Sequence, residues 1–599
     1  MAIVCMPFAD ASVPSIQLGL LAGLVQAAGW RAKTFHFNLD LAAQIPDIYD
    51  ELCQHDDHLL GEWLFAHAAF GPKQTEVSDR YLDRVARDST SGQHDTALRK
   101  YLLHLQRAVI PAFIDDCLDQ VEGFRFDVVG FTSVFQQNVA ALALARRLKA
   151  RHQDLQIIFG GANVHGDMGV AYLEAFPFID YVATGEAEIC VEPFLRAIEG
   201  GTRASDVPGI ATRTEKKVLA APKPALVADL SSAQTPDYDE YFARHRRLDL
   251  TSGAKTLPLE TSRGCWWGER SHCIFCGLNG NDMRFRTKPD SLVIKELRDL
   301  SSRYGVYSFN VTDNIMPRQY VETLFPKLRG APFRFFYEVK ANLHLEQLRI
   351  MRDGGVRRIQ PGIESLSTEL LRLLRKGVSK LQNIRLLKWA RWLGIRVSWN
   401  LLYGVPGETR EMYDQQVSTL HFLSHLEPPA ACSRIRMDRF SPLFQNRDGS
   451  SIQWSRPWDA YRAIYPPELD LERAAYFFDY ESMETLPQSF HKPMFELVES
   501  WQESWRRKAP VLQWSKRGDT VVVEDSRFGV DAREWSLDST AAGVLEACNE
   551  IRSLDSLSDI GNSSCILGLL ESGLLIQDGR QVLSLVVPAP DAPIDCSSL

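Results

Sequence analysis

Glu260-Thr-Ser-Arg-Gly-Cys265-Trp-Trp-Gly-Glu269-Arg-Ser-His272-Cys273-Ile-Phe275-Cys276-Gly-Leu-Asn-Gly280 gathers three of the chain's 11 cysteines into one short run. The run follows an apolar segment, 257–261, that reads as a strand, and it precedes a segment that reads as a helix. Glycines at 264, 268, 277 and 280 let the backbone turn tightly around a bulky group. The spacing Cys265-x7-Cys273-x2-Cys276 offers three thiolates in one loop without a fourth beside them. Structural zinc takes four ligands, so a zinc reading requires His272 as the fourth. An iron–sulfur cube is held by four cysteines as a rule, and a cube held by three keeps one iron open. The other eight cysteines (Cys5, Cys53, Cys117, Cys190, Cys432, Cys548, Cys565 and Cys596) are scattered singly. An odd count with no repeating framework argues against disulfides, and single thiols of this kind are mostly buried apolar groups.

The rest of the 599-residue sequence supplies the setting. Its length suits three or four domains. Apolar residues at 45% and charged residues at 24% give a globular profile. A net charge of −9 leaves no basic footprint for nucleic acid. No apolar run approaches the roughly 18 residues that span a bilayer, and the start lacks the basic and apolar regions of a signal peptide. The expectation is a soluble, cytoplasmic chain with no nucleic-acid or membrane partner, acting as a monomer.

Strand-like segments at 2–5, 32–37, 128–132, 156–159 and 181–184 alternate with helix-like segments at 15–28, 138–151 and 190–199, and a charged helical stretch covers 41–121. Such alternation predicts a doubly wound parallel sheet in an α/β fold. Residues 200–255 read as a linker with a small hairpin. A second α/β run places strands at 257–261, 307–311, 335–339, 358–362, 397–402 and 434–440, six βα units and so a partial barrel. The end of the chain, with strands at 520–524 and 581–587 and helices at 538–552 and 566–571, reads as a small α+β, winged-helix-like module. The expected domains are 1–210, a linker 211–250, 251–460 and 461–599.

The cysteine loop at the end of a first barrel strand resembles that of the radical S-adenosylmethionine (SAM) superfamily, although seven residues separate the first two cysteines where most members have three. The form Cys-Trp-Trp-Gly-x4-Cys-x-Phe-Cys-Gly is similar to a subgroup that matures ribosomal peptides. The resemblance implies a [4Fe-4S] cluster on Cys265, Cys273 and Cys276, and it places Phe275 near the SAM adenine. Further matches follow in order at strand ends, where barrels bind their ligands. Val311-Thr-Asp313-Asn314 stands where the family contacts the SAM amino group and carboxylate. Lys340, in Glu338-Val-Lys340, is a candidate carboxylate partner. Gly362-Ile-Glu364-Ser365 stands where ribose contacts are expected, and Leu402-Tyr-Gly-Val-Pro-Gly-Glu408-Thr resembles the turn after the fifth strand.

Radical SAM proteins with a doubly wound first domain are mostly of the cobalamin-dependent class, which implies a Rossmann-like cobalamin-binding domain here. Gly130-Phe-Thr132-Ser133, Gly160-Gly161-Ala-Asn163 and Gly185-Glu186-Ala-Glu188 all follow strands and line the crevice where such sheets bind ligands. Thr132, Ser133 and Asn163 are candidate donors to the corrin amides. The Asp-x-His-x-x-Gly motif that supplies an axial histidine is absent, and His165 has a different spacing, so cobalamin is expected without a histidine ligand.

The implied chemistry is C-methylation in antibiotic or peptide natural-product biosynthesis, with methyl passing from SAM through methylcobalamin to a substrate carbon. In a radical route the open iron binds a second SAM, an electron donor reduces the cluster, and the resulting radical takes a substrate hydrogen. In a polar route an sp2 indole carbon is methylated without that step. Length, domain order and the acid in the cysteine loop resemble the thiopeptide members that methylate tryptophan at C2 to give 2-methyltryptophan. Glu269 would there cap the open iron; its alternative is a surface ion pair with Arg270 or Arg263. Tyr304, Tyr307 and Tyr337 are candidates to take the departing indole proton. The last module faintly resembles leader-peptide binders, which leaves tryptophan and a precursor peptide both open as substrate. The competing readings are a radical SAM epimerase or cross-linker of ribosomal peptides, and a zinc-stabilised peptide-binding protein.

Overall fold

The structure is a computed structural model. It describes all residues except 55–57, 74, 89–95, 203, 215–216, 222–225, 251–254, 281, 450, 519, 530–531 and 590–599. Cys596 and parts of the 41–121 and 200–255 stretches therefore lie outside the described residues. The chain forms two compact units. One contains Met1–Pro258, Arg298–Val306 and Arg456–Asp479; the other contains Leu259–Leu297, Tyr307–Ser455 and Tyr480–Leu599.

The first unit is built on a seven-stranded sheet of β1 (Ala2–Cys5), β2 (Lys33–His36), β3 (Val128–Thr132), β4 (Gln156–Gly160), β5 (Tyr181–Ala183), β6 (Ile210–Arg213) and β7 (Val218–Leu219). Their order is β2-β1-β3-β4-β5-β6-β7. The first five run parallel, and β6 and β7 add antiparallel at one edge as the hairpin expected after residue 200. β1 and β3 are buried along their whole length, as central parallel strands covered on both faces must be. The order reverses between β1 and β3, so the crevice outside their carboxyl ends is the natural ligand position.

The helical stretch expected at 41–121 runs as several helices from Phe37 to Glu122, with a π turn at Leu105–Val109. One of them, Leu60–Phe70, carries Glu62. Its buried carboxylate accepts the Asn138 and Val139 N–H groups at 3.0 and 2.6 Å. This caps the helix Asn138–Arg151, where the helix dipole favours negative charge. Late in the chain, Arg473 pairs with Asp167 at 2.8 Å and Arg84 with Asp459 at 2.7 Å, so residues 456–479 fold into this unit.

The second unit contains the barrel. Leu257–Leu259, Ser308–Val311, Arg334–Glu338, Val356–Gln360 and Arg396–Val397 lie side by side in one sheet. After a break at Ser398 and Trp399 the fifth strand resumes as Asn400–Tyr403, which bridges to Glu364 and pairs in parallel with Ala431–Arg434. The result is the expected partial barrel of six strands. The sixth strand lies earlier than 434–440, because Met437–Asp438 is instead drawn into a separate three-stranded sheet.

The barrel helix Lys380–Leu393 starts at a Ser379 cap and ends at Gly394, whose φ of 69° suits glycine. Its buried Lys388 donates to Asn549 Oδ1 at 3.0 Å and to the Ser584 carbonyl at 2.9 Å, which docks the C-terminal module on the barrel. That module has a four-stranded sheet, a three-stranded sheet and the helices Ser539–Ala547 and Ser563–Glu571. Among the described residues no helix is long and apolar enough to cross a membrane.

Candidate active site

The cysteine loop is stapled to the carboxyl end of the barrel. Cys265 N–H donates to the Met283 carbonyl at 3.1 Å, and Leu443 N–H to the Ile274 carbonyl at 2.8 Å. Gly264 holds φ 79°, and a Cβ there would lie 2.1 Å from the Arg284 carbonyl oxygen, so the turn requires glycine. Asp313, 1% exposed, anchors the loop's base. Its carboxylate accepts Thr261 N–H at 2.7 Å, Thr261 Oγ1 at 2.5 Å and Ser262 Oγ at 2.7 Å. Burial lifts its pKa to about 6 against these bonds. Asp313 is thus engaged in holding the loop, and Asn314 Nδ2 donates to Asn279 Oδ1 at 2.7 Å in the same role.

Two indoles fix the loop's other side. Trp266 Nε1 donates to the Met316 carbonyl at 3.1 Å, and Trp267 Nε1 to the Arg375 carbonyl at 3.0 Å. The Lys340 ammonium sits 3.6 Å from the Trp267 ring centre, a cation–π contact. Lys340 also donates to the Lys376 carbonyl. Burial and the Lys376 charge bring its pKa down to about 7. Lys376 itself pairs with Glu364 at 3.3 Å and lies 5.7 Å from the centre of the Phe275 ring. Burial would lower its pKa, but Glu364 and the Cys273 thiol outweigh burial and raise it. Glu338 is pushed up to about 7 by burial and by Glu364. Glu364 holds a left-handed φ of 62° at the end of the fourth strand.

Cys265, Cys273 and Cys276 are free thiols in this setting. They feel one another electrostatically, and Cys276 is pushed up to about 12 by burial first. Among the described residues no three His, Cys, Asp or Glu side chains converge on a single-ion position. A four-iron cube is much larger than one ion and keeps its thiolates farther apart, so three free thiols around one glycine-hinged loop, beside two lysines, fit such a cube. They do not form a single-ion Cys3His zinc site, because among the described residues no three such side chains converge on one ion; His272 Nε2 lies 2.8 Å from the Cys276 carbonyl. Glu269 stands exposed on the short helix Trp266–Arg270. Its Oε1 accepts Phe285 N–H at 2.8 Å, and Arg263 pairs with Glu260 instead.

Sequence reasoning had no signal for Lys376. It lies far along the chain from the thiols it meets, in no motif, and only the fold brings it there. Other expected residues are placed less centrally. Ser365 is fully buried, its Oγ donating to Gln416 Oε1 at 2.6 Å. Tyr307 is 46% exposed at the amino end of the second strand, opposite to the ligand end. Tyr337 is fully buried, with its hydroxyl 3.4 Å from Thr261 Oγ1. Tyr304 belongs to the first unit, where its oxygen accepts Tyr238 N–H at 2.8 Å.

In the first unit the turns after β3, β4 and β5 stand at the carboxyl ends of adjacent parallel strands, with Gly160 and Gly161 at the end of β4 and Gly185 after β5. Their polar side chains are already engaged: Thr132 Oγ1 with the Val4 carbonyl at 3.3 Å, and Ser133 Oγ with Asn138 Oδ1 at 2.9 Å. Asn163 Nδ2 donates to Ser133 Oγ at 3.1 Å and to the Phe135 carbonyl at 2.8 Å. Glu186 Oε2 accepts Val227 N–H at 2.7 Å. His165 is half-buried, and burial lowers its pKa. These turns present backbone, glycine surface and the exposed ring of Phe135, groups that suit the broad, largely apolar face of a corrin.

Residues 259–418 match the radical SAM superfamily. An uncharacterised methyltransferase of Pyrococcus horikoshii is 25% identical over 313 residues, 51% of this chain and 66% of that one. Cytidylyl-2-hydroxyethylphosphonate methyltransferase of Streptomyces wedmorensis is 26% identical over 331 residues, 49% of this chain and 60% of that one. The chain thus spans about two thirds or less of the length of these relatives. Among solved structures, the radical SAM methyltransferase TsrM from Kitasatospora setae, with cobalamin and a [4Fe-4S] cluster bound, shares the fold. Its TM-score is 0.56 at 16% identity, over 83% of this chain and 90% of that one. The same protein has been solved with tryptophan substrate and a SAM analogue bound. The ordered strands and the three-thiol loop thus fall in the stretch, residues 259–418, that matches the radical SAM superfamily.

Proposed function

We propose that the protein is a cobalamin-dependent radical SAM methyltransferase that moves a methyl group from SAM to a substrate carbon, with tryptophan C2 as the best specific substrate. The observation that carries this reading is the pairing of two features in one chain. One is a barrel whose first-strand loop presents Cys265, Cys273 and Cys276 beside Lys340 and Lys376. The other is a preceding sheet in the order β2-β1-β3-β4-β5, whose switch point between β1 and β3 is the ligand position of such folds.

In this reading Cys265, Cys273 and Cys276 hold a [4Fe-4S] cluster, and Lys340, Lys376 and Glu364 supply the charges that orient SAM beside it. Cobalamin occupies the expected domain 1–210, which lies within the first unit, and the expected barrel 251–460 carries SAM; of the expected module 461–599, residues 461–479 fold into the first unit, and the part after Asp479 is the candidate for peptide recognition. The bound corrin supplies the cobalt that relays the methyl group. The chain's own task is to position these groups and exclude water from them.

Glu269 remains the candidate fourth ligand. Its Oε2 makes no hydrogen bond among the described residues, so it is available to the open iron. A capped iron disfavours SAM cleavage and favours polar methylation of an indole; of the three candidate tyrosines, Tyr337 is fully buried and held protonated by burial, so none of them is placed to take the indole proton. The TsrM structure with tryptophan supports the choice of substrate, and membership in the peptide-maturing subgroup is part of the same proposal. The test is anaerobic reconstitution with iron, sulfide, cobalamin and SAM, followed by mass spectrometry of products from tryptophan and from a tryptophan-containing peptide. Methyltryptophan supports the reading. Deoxyadenosine formed without dependence on cobalamin would favour an epimerase or cross-linker instead.

A further inference from the structure

The loop after β3 contains a contradiction that folding alone does not explain. Phe135 is held at φ 44°, a left-handed conformation that costs a bulky side chain energy, yet its ring is 61% exposed. It makes no ring contact among the described residues. A strained residue normally gains burial in return, and this ring stays mostly exposed.

Everything around it is fixed. Ser133 N–H donates to the Gly160 carbonyl at 2.8 Å, and Asn163 N–H to the Ser133 carbonyl at 3.2 Å. Gly161, at φ 106°, lets that carbonyl approach to where a Cβ would lie 2.4 Å away. Asn163 Nδ2 grips the Phe135 carbonyl itself. On the other side, Gln136 accepts Gly61 N–H at 2.7 Å and donates to the Leu52 carbonyl at 2.9 Å. Gln137 donates to the Met6 carbonyl at 3.1 Å, which ties in the loop after β1. Three segments therefore converge to present one bare aromatic ring at the sheet's switch point.

We propose that Phe135 is the residue that bears on the sheet-side face of a bound cobalamin, lying under the cobalt and denying it a protein ligand on that side. The inference rests on the cobalamin reading above. A phenyl ring offers a flat apolar surface to a corrin and has no lone pair for the metal. Asn163 and Gln136 are held back by the bonds just described, and His165, in the same turn as Asn163, is also engaged within the fold. Phe135 acts as a positioning residue, selecting a cobalt left open on one face.

The experiment loads the full chain with cobalamin and measures binding, thermal midpoint and the electron paramagnetic resonance spectrum of the cobalt(II) form. Phe135→Gly relieves the backbone strain and removes the ring. The expected result is cobalamin binding about tenfold weaker with a midpoint equal to or above that of the parent. A purely structural phenylalanine would instead lower the midpoint. Phe135→His, a residue that tolerates positive φ, is expected to add nitrogen splitting to a cobalt spectrum that lacks it in the parent. Unchanged affinity in Phe135→Gly, or a Phe135→His spectrum identical to the parent's, overturns the proposal. Failure of the parent itself to take up cobalamin would overturn the reading on which it rests.

Discussion

Replacing Asp313 with alanine tests whether this carboxylate, at the end of the second barrel strand, holds the cluster loop in place. Three donors from Thr261 and Ser262 converge on it. In the variant the two hydroxyls have second acceptors: Thr261 Oγ1 lies 3.4 Å from Tyr337 Oη, and Ser262 Oγ 3.3 Å from the Ile315 carbonyl. The Thr261 N–H has none and stays buried. One orphaned donor costs about 1–3 kcal/mol, and each weakened hydroxyl bond adds about 1 kcal/mol. Removing a carboxylate that burial already disfavours returns about 1 kcal/mol. The net expectation is a loss of about 3 kcal/mol for Asp313→Ala and about half that for Asp313→Asn, which keeps one acceptor. Urea unfolding of the metal-free chain measures both, and iron uptake on reconstitution is expected to fall with them. A loss for Asp313→Ala below about 0.5 kcal/mol would show that the carboxylate is not the anchor, because surface changes alone account for that much.

Gly377→Ala is expected to displace the Trp267 ring, which lies 2.1 Å from the new Cβ, at a backbone φ of 61°. The cost is about 1–3 kcal/mol, with a shift in tryptophan emission as the loop loosens. Lys388, pulled down to about 7 by burial from 10.5, makes stability depend on pH. The unfolded chain keeps that proton to about 10.5 and the folded chain releases it near 7, so the unfolded state binds more protons in between. Stability therefore rises with pH across that window, and unfolding midpoints taken at several pH values are expected to show the rise in the parent and a flatter profile in Lys388→Met. Glu269→Gln, if Glu269 caps the open iron, changes the spectrum of the reconstituted cluster while iron content stays constant.

The alternation of apolar segments around Val128–Thr132 and Gln156–Gly160 made the parallel sheet legible, because fully buried strands leave runs that few other structures produce. Three thiols in one loop were legible from spacing, and their assignment to a cluster rested on the resemblance. The sixth strand was not legible: Ala431–Arg434 is largely exposed and carries no apolar pattern, while the more apolar residues after it belong to another sheet. The roles of polar residues were the least legible. Asp313, Ser133 and Ser365 stand at the positions expected of ligand contacts, yet their oxygens are engaged within the fold, and a sequence does not show which donors a backbone turn will claim. Lys376 was invisible for the opposite reason, since no motif marks a lysine whose importance comes only from the thiols and the carboxylate that folding brings to it.

The central claim is that three thiols in one barrel loop and the switch point of a separate sheet serve one methyl transfer. It is tested most directly with SAM carrying an isotopically labelled methyl group, supplied to the anaerobically reconstituted chain with cobalamin and tryptophan, beside a Cys273→Ala variant. The account predicts labelled methyltryptophan from the parent at about four irons per chain, and loss of both iron and product in the variant. Labelled product from the variant at the parent's rate, or from the parent without cobalamin, would contradict it.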